Sequence, residues 1–104
     1  MNALPTLTTE QRRANLERAM KARRARAELR RDLKAGRIAP ADALVDPRAQ
    51  RLYVRQFLAS LPGVAQKRAG EIMCILDINP SRRVHGLGSR QRERLIEMLS
   101  TNGD

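Results

Sequence analysis

Apolar residues in the first third of the chain recur at helical spacing, but on two different sides. Ala22, Ala25, Leu29 and Leu33 are three or four positions apart and mark one inward face. Leu16 and Met20 fall on another side, among Arg12, Arg13, Arg18, Lys21, Arg23, Arg24 and Arg26. Thr8 followed three residues later by Gln11 has the pattern of a capping box, which predicts a helix start at Thr9. No Gly or Pro interrupts the segment before Gly36, a natural stop, so the helix is expected to reach about Ala35. Its polar first half has little to bury and is expected to form an exposed arm, continuous with a docked second half. Residues 1–8 read as an extended leader, with Leu4 kept out of helix by Pro5.

Beyond Gly36 the elements shorten. Residues 37–47 read as a connector with one short helix, opened by Pro40 and closed by Asp46-Pro47. Residues 48–60 are expected to form a further helix with Leu52, Phe57 and Leu61 inward and Tyr53 at the edge of the core. A turn at Pro62-Gly63 then leads into a helix whose inward stripe is Ala69, Ile72, Met73 and Leu76. Cys74 within that stretch reads as a buried, inert thiol. Asn79-Pro80 is expected to end this helix, and Ser89 to cap a last one over about Arg90–Leu99. Nothing alternates like a strand. The expected fold is all-α: a leader and long basic helix over residues 1–35, then a compact helical domain over residues 36–104.

Charge adds the partner. The 104 residues carry a net charge of +10 with an isoelectric point near 11.5, which suits a polyanion, usually nucleic acid. Residues 1–37 hold eleven Lys/Arg against four Asp/Glu, so +7 of the charge lies on the arm. Its acids, Glu10, Glu17, Glu28 and Asp32, are spaced for ion pairs one helical turn away. Residues 63–104 contribute only +2, so the arginines there must be well placed to matter. His85 is the only histidine and Cys74 the only cysteine, which excludes paired-histidine chemistry, multi-histidine metal sites and an internal disulfide. The composition points away from an enzyme, and no metal or cofactor is expected. No apolar run is long enough to cross a membrane and the first residues lack a signal-peptide core, so a cytoplasmic protein is expected. With no long heptad seam, a monomer is expected in the absence of nucleic acid.

Two turns carry the candidate chemistry. In Leu61-Pro-Gly-Val-Ala-Gln-Lys-Arg-Ala-Gly-Glu-Ile72, Gly63 and Val64 precede a helix start that bears Lys67 and Arg68. A helix N-terminus exposes unpaired N–H groups and the positive end of the helix dipole, and two cations there call for an external anion. Taken alone, the turn is equally a phosphate clamp or a helix corner. In the second turn, Arg82, Arg83 and His85 lead into Gly86 and Gly88, which are expected to let the chain bend. Arginine's planar fork suits phosphates and narrow minor grooves. On the arm, Arg23, Arg24 and Arg26 are the candidate phosphate contacts.

The segments LPGVAQKRAGEIM and INPSRRVHGLGSRQRERLIEML resemble the helix–two-turn–helix region, about residues 61–99, of the actinobacterial (mycobacterial-type) integration host factors. The similarity is closest at residues 22–29 and 61–99. In that family an Arg-Arg-x-Arg-Gly-Leu-Gly motif carries DNA contacts; Arg82 and Arg83 match it, while His85 replaces the third arginine. The resemblance implies a nucleoid-associated protein that binds double-stranded DNA with little sequence preference. It also implies that the protein bends or compacts DNA and supports site-specific recombination, with a recombinase as a further candidate partner. Similar two-turn modules occur in a ribosomal protein, so structured RNA stays open as the alternative ligand.

Overall fold

The computed structural model describes residues 7–101, so most of the expected leader lies outside it. The first helix, α1 (Thr9–Lys34), opens as the Thr8–Gln11 spacing requires. The Gln11 N–H donates to Thr8 Oγ1 at 3.0 Å, and the Thr8 N–H donates to Gln11 Oε1 at 2.8 Å. At the other end the Ala35 N–H donates to the Arg31 carbonyl, and Gly36 turns the chain at φ +75°.

Leu29 and Leu33 are fully buried and Ala25 is half-buried, but Ala22 is exposed, so the inward face begins one turn later than its spacing suggests. The reason is length. Twenty-six helical residues span about 39 Å, in a molecule of 58 × 30 × 23 Å, and the first half runs past the body. The expected ion pairs along α1 form only in part. Asp32 pairs with Arg37 beyond the helix end at 2.9 Å, while Glu10, Glu17 and Glu28 have no cation within 4 Å among the described residues.

After α1 come α2 (Pro40–Leu44), a 3₁₀ turn at Pro47–Ala49, α3 (Val54–Ala59), α4 (Gln66–Ile75), a second 3₁₀ turn at Val84–Gly86, and α5 (Ser89–Thr101). Helix α1 packs on α2 and on the first 3₁₀ turn, α3 on α4, and α2 on α5. Phe57, Leu44, Leu58, Ile72 and Leu95 join Leu29 and Leu33 at zero or near-zero exposure in one aliphatic core. Among the described residues there is no β-strand, no helix long and apolar enough to cross a membrane, and no cluster of metal-ligating side chains.

Four local expectations are corrected. The helix expected over 48–60 is broken: only Val54–Ala59 is α-helical, and the turn over residues 50–53, with Tyr53 extended, lies beside 82–85. The Val54 N–H donates to the Arg82 carbonyl, the Val84 N–H to Leu52, and the His85 N–H to Gln50, and an isolated antiparallel bridge joins Tyr53 to Arg83. Helix α4 stops before Asn79-Pro80, because Asp77 adopts a left-handed φ of 55° and the Ile78 N–H caps back to the Met73 carbonyl. Ser89 is the first residue of α5 rather than its cap; the Gly88 carbonyl accepts from the Arg92 N–H, and the Gly88 N–H donates to Gln91 Oε1. Finally, Cys74 is exposed. The buried stripe Ala69–Ile72–Met73–Leu76 fixes the phase of α4, and positions 74 and 75 turn outward, leaving Ile75 55% exposed.

Asp46 holds the connector. Its carboxylate caps the first 3₁₀ turn through the Arg48 N–H at 2.8 Å and pairs with the Arg48 guanidinium at 2.9 Å. Hydrogen bonding from Arg48 holds the carboxyl below the usual aspartate range, against the opposing effect of burial. Asp46→Ala is expected to cost about 1–2 kcal/mol at neutral pH. A carboxyl depressed in the native state stabilises above its unfolded pKa and loses that effect as pH falls through the native one. In urea melts the gap between wild type and variant should therefore be full near pH 6 and close below the ordinary aspartate range.

Candidate nucleic-acid interface

The pairing of residues 50–54 with 82–85 assembles the site. It sets Arg83 against Tyr53, with the guanidinium carbon 4.2 Å from the ring centroid, Nη2 donating to the Tyr53 hydroxyl at 3.0 Å and Nη1 donating to the Arg51 carbonyl. Tyr53 is thus partly exposed and serves the core edge less than it serves Arg83. The same arrangement faces the docked part of α1. Arg23, Arg26, Arg30, Arg51 and Arg83 line one open concavity of about 460 Å³ around Tyr53 and Gln56, and no acidic side chain lines it. Arg30 is braced by a 2.8 Å hydrogen bond from Nε to Ser60 Oγ, which in turn donates to the Gln56 carbonyl.

A neighbouring hollow lies over the second turn. Asn79 accepts at Oδ1 from both the N–H and the hydroxyl of Ser81, making a tight turn that presents Arg82, Arg83 and His85 on the outside. At Gly86 a Cβ would sit 3.1 Å from Cδ of Arg82, whose Nη1 donates to the Gly86 carbonyl. Neither Gly86 nor Gly88 has a positive φ, so the bend expected from them is made by the 3₁₀ turn instead.

The first turn differs. Gly63 has φ +76°, a conformation that favours glycine, and its position is open to solvent. The Val64 N–H is used by the Leu61 carbonyl and its half-buried side chain packs on the core, so Val64 anchors the turn. Ala65 caps α4 without any side-chain hydrogen bond, and no acidic residue occupies the first turn, which leaves the helix N-terminus electropositive. Lys67 and Arg68 are exposed there, Arg68 lying 3.6 Å from Glu71. Between the two turns a further hollow is lined by Tyr53, Arg55, Gln56, Gln66, Asn79 and Ser81, among others.

Arg23 and Arg26 therefore line the concavity and Arg82, His85 and Gly86 a neighbouring hollow, with Arg83 lining both. Arg24, Gly63, Lys67, Arg68 and Gly88 lie outside those hollows, on exposed surface. Sequence reading missed Arg30 and Arg51, which carry no motif of their own.

The chain is similar to known proteins in sequence and in fold. The S13-like H2TH domain family matches residues 40–99. The integration host factor of Mycobacterium tuberculosis is 48% identical over 103 residues, covering 95% of this chain and 98% of its own length. That of Mycolicibacterium smegmatis is 48% identical over 99 residues (91% and 94%), and that of Streptomyces coelicolor 42% over 105 residues (97% and 98%). A solved structure of sIHF bound to an 8-bp palindromic DNA superposes with a TM-score of 0.75 at 38% identity, covering 80% of this chain and 98% of that one. The chain belongs to the actinobacterial integration host factor family.

Tyr53 holds Arg83 in place through its ring face and its hydroxyl. Tyr53→Leu removes both the ring face and the hydroxyl, and is expected to weaken duplex binding by ~10-fold, whereas Tyr53→Phe, which keeps the stack, should lose less. Fluorescence anisotropy with a labelled duplex measures both. Equal affinity for all three proteins would mean that Arg83 needs no holding.

Proposed function

We propose that the protein binds double-stranded DNA with little sequence preference across the arginine-lined concavity, bends or compacts it, and supports site-specific recombination as a nucleoid-associated protein. Its role is binding rather than catalysis, in the cytoplasm, and as a monomer when free of DNA. The observation that carries the reading is the convergence of five arginines from three separate stretches, α1, residues 51–53 and the second turn, with no acid among the lining residues. Guanidinium groups fixed on one curved surface match a row of phosphates, and phosphate contacts position a protein without reading sequence. Contacts from both the arm and the turn favour a duplex that curves to meet them. Each neutralised phosphate releases counterions, so affinity must fall steeply with salt.

The test follows from that. Converting Arg23, Arg26 and Arg51 together to alanine should weaken binding to all duplexes about equally and make the log–log salt slope shallower by ~0.9 for each phosphate no longer neutralised. Arg94→Ala, on α5 and away from the concavity, should leave the slope alone. An unchanged slope in the triple variant would make these arginines a merely solvated face. Because the matching domain family is S13-like, structured RNA belongs in the same titration. Tighter binding to it than to random duplex would transfer the reading to RNA.

A further inference from the structure

Outside the concavity, the least expected surface is on the free half of α1. Leu16 is 58% and Met20 40% exposed, on the most charged element of the chain and beyond the reach of the core, since burial begins only at Ala25. A single exposed leucine needs no explanation. These two are placed in a pattern. At 100° per residue Leu16 and Met20 form one ridge, with Arg12 and Arg23 along one side of it and Arg13 and Arg24 along the other. The acids Glu10, Glu17, Glu28 and Asp32 fall together on the face that borders the Arg13–Arg24 row, away from the ridge itself. Carried forward one and two turns, the ridge runs into Arg23 and Ala27, which already line the concavity.

Two rows of guanidinium groups flanking an apolar ridge match the two phosphate strands that border a groove of the double helix. Charge also decides against a second copy of this chain, because pairing two such ridges would press four arginines against four. The apolar ridge selects the groove. Apart from the thymine methyls, the major-groove floor presents hydrogen-bond donors and acceptors, which Leu and Met would desolvate without replacing. The minor groove is walled by deoxyribose, and leucine or methionine entering it can part a base step and kink the duplex. We infer that Leu16 and Met20 form a minor-groove wedge, held over the groove by Arg12 and Arg23 on one strand and Arg13 and Arg24 on the other, through which the arm imposes a kink. This rests on the duplex-binding reading above and assigns the arm a part beyond phosphate tracking.

The experiment compares the full-length wild type with Leu16→Ala/Met20→Ala and with the exchanged pair Leu16→Met/Met20→Leu. Alanine keeps the helix, which circular dichroism verifies. The probe is a 30-bp random duplex carrying end dyes for bending and 2-aminopurine for base unstacking. The alanine variant should bind ~10-fold more weakly, with an unchanged salt slope, and lose most of the wild-type end-to-end shortening and 2-aminopurine brightening. The exchanged pair should behave as wild type. Wild-type bending that survives in the alanine variant overturns the wedge while leaving duplex binding intact. Absence of duplex binding by the wild type removes the function reading and the wedge with it. A DNA-free wild-type dimer that the alanine change converts to monomer makes the ridge a subunit seam, and also overturns the proposal.

Discussion

Arg82→Ala combined with Arg83→Ala is expected to weaken duplex binding by ~100-fold at low salt, on the basis of about 1.5 kcal/mol for each charge-assisted hydrogen bond removed. Arg83 reaches the surface already ordered, by the Tyr53 ring and hydroxyl and by the Arg51 carbonyl, and Arg82 is steadied by the Gly86 carbonyl. Arginines on the free arm must be ordered on binding, at about 0.5–1.5 kcal/mol each. The loss per charge should therefore exceed that of Arg12→Ala with Arg13→Ala, measured by gel shift on proteins matched for helicity. His85→Arg gives the converse. It places a permanently charged, planar guanidinium on the turn and should tighten duplex binding. If the double alanine variant binds normally and His85→Arg changes nothing, the turn is a helix corner and the nucleic acid lies elsewhere.

Leu29→Ala should cost about 2–5 kcal/mol of folding stability, a large share of what a domain of this size has. Leu29 is wholly buried, and with Leu33 it fastens α1 to the domain. Its loss also has a functional readout, because Arg26 and Arg30 flank it on the same helix and line the concavity. At low temperature, where the variant stays folded, its salt slope should be shallower than wild type. A folded variant with an unchanged slope would mean that docking does not set the position of these arginines.

What could be read from sequence was what neighbours within a few residues decide. The Thr8–Gln11 cap, the stop at Gly36, the short helix opened by Pro40, and the stripes Leu29–Leu33 and Ala69–Ile72–Met73–Leu76 all stand in the structure. The break at Leu52–Tyr53 has one local sign, since on a continuous helix Leu52 would lie about 140° from Phe57, yet both are buried. What interrupts that helix is backbone pairing with residues 82–85, some thirty positions away, and no local pattern identifies that partner. Arg30 and Arg51 were invisible as site residues for the same reason, since only tertiary structure sets them beside Arg83. Cys74 was misplaced by a phase error: neighbours in sequence on a helix point about 100° apart, so company among apolar residues is not burial.

The clasp between Tyr53 and Arg83 also bears on the order in which the molecule acquires its binding face. Joining residues 30–32 apart closes a loop whose length-dependent entropic cost is about 3 kcal/mol. Helix α1, made of local contacts, can form within microseconds, whereas this closure must await the collapse that brings the two segments together. A chain still emerging from the ribosome, with residues up to about 80 released, would carry its arm arginines but lack the second turn and hence the floor of the concavity. The complete concavity therefore forms only when synthesis is nearly finished.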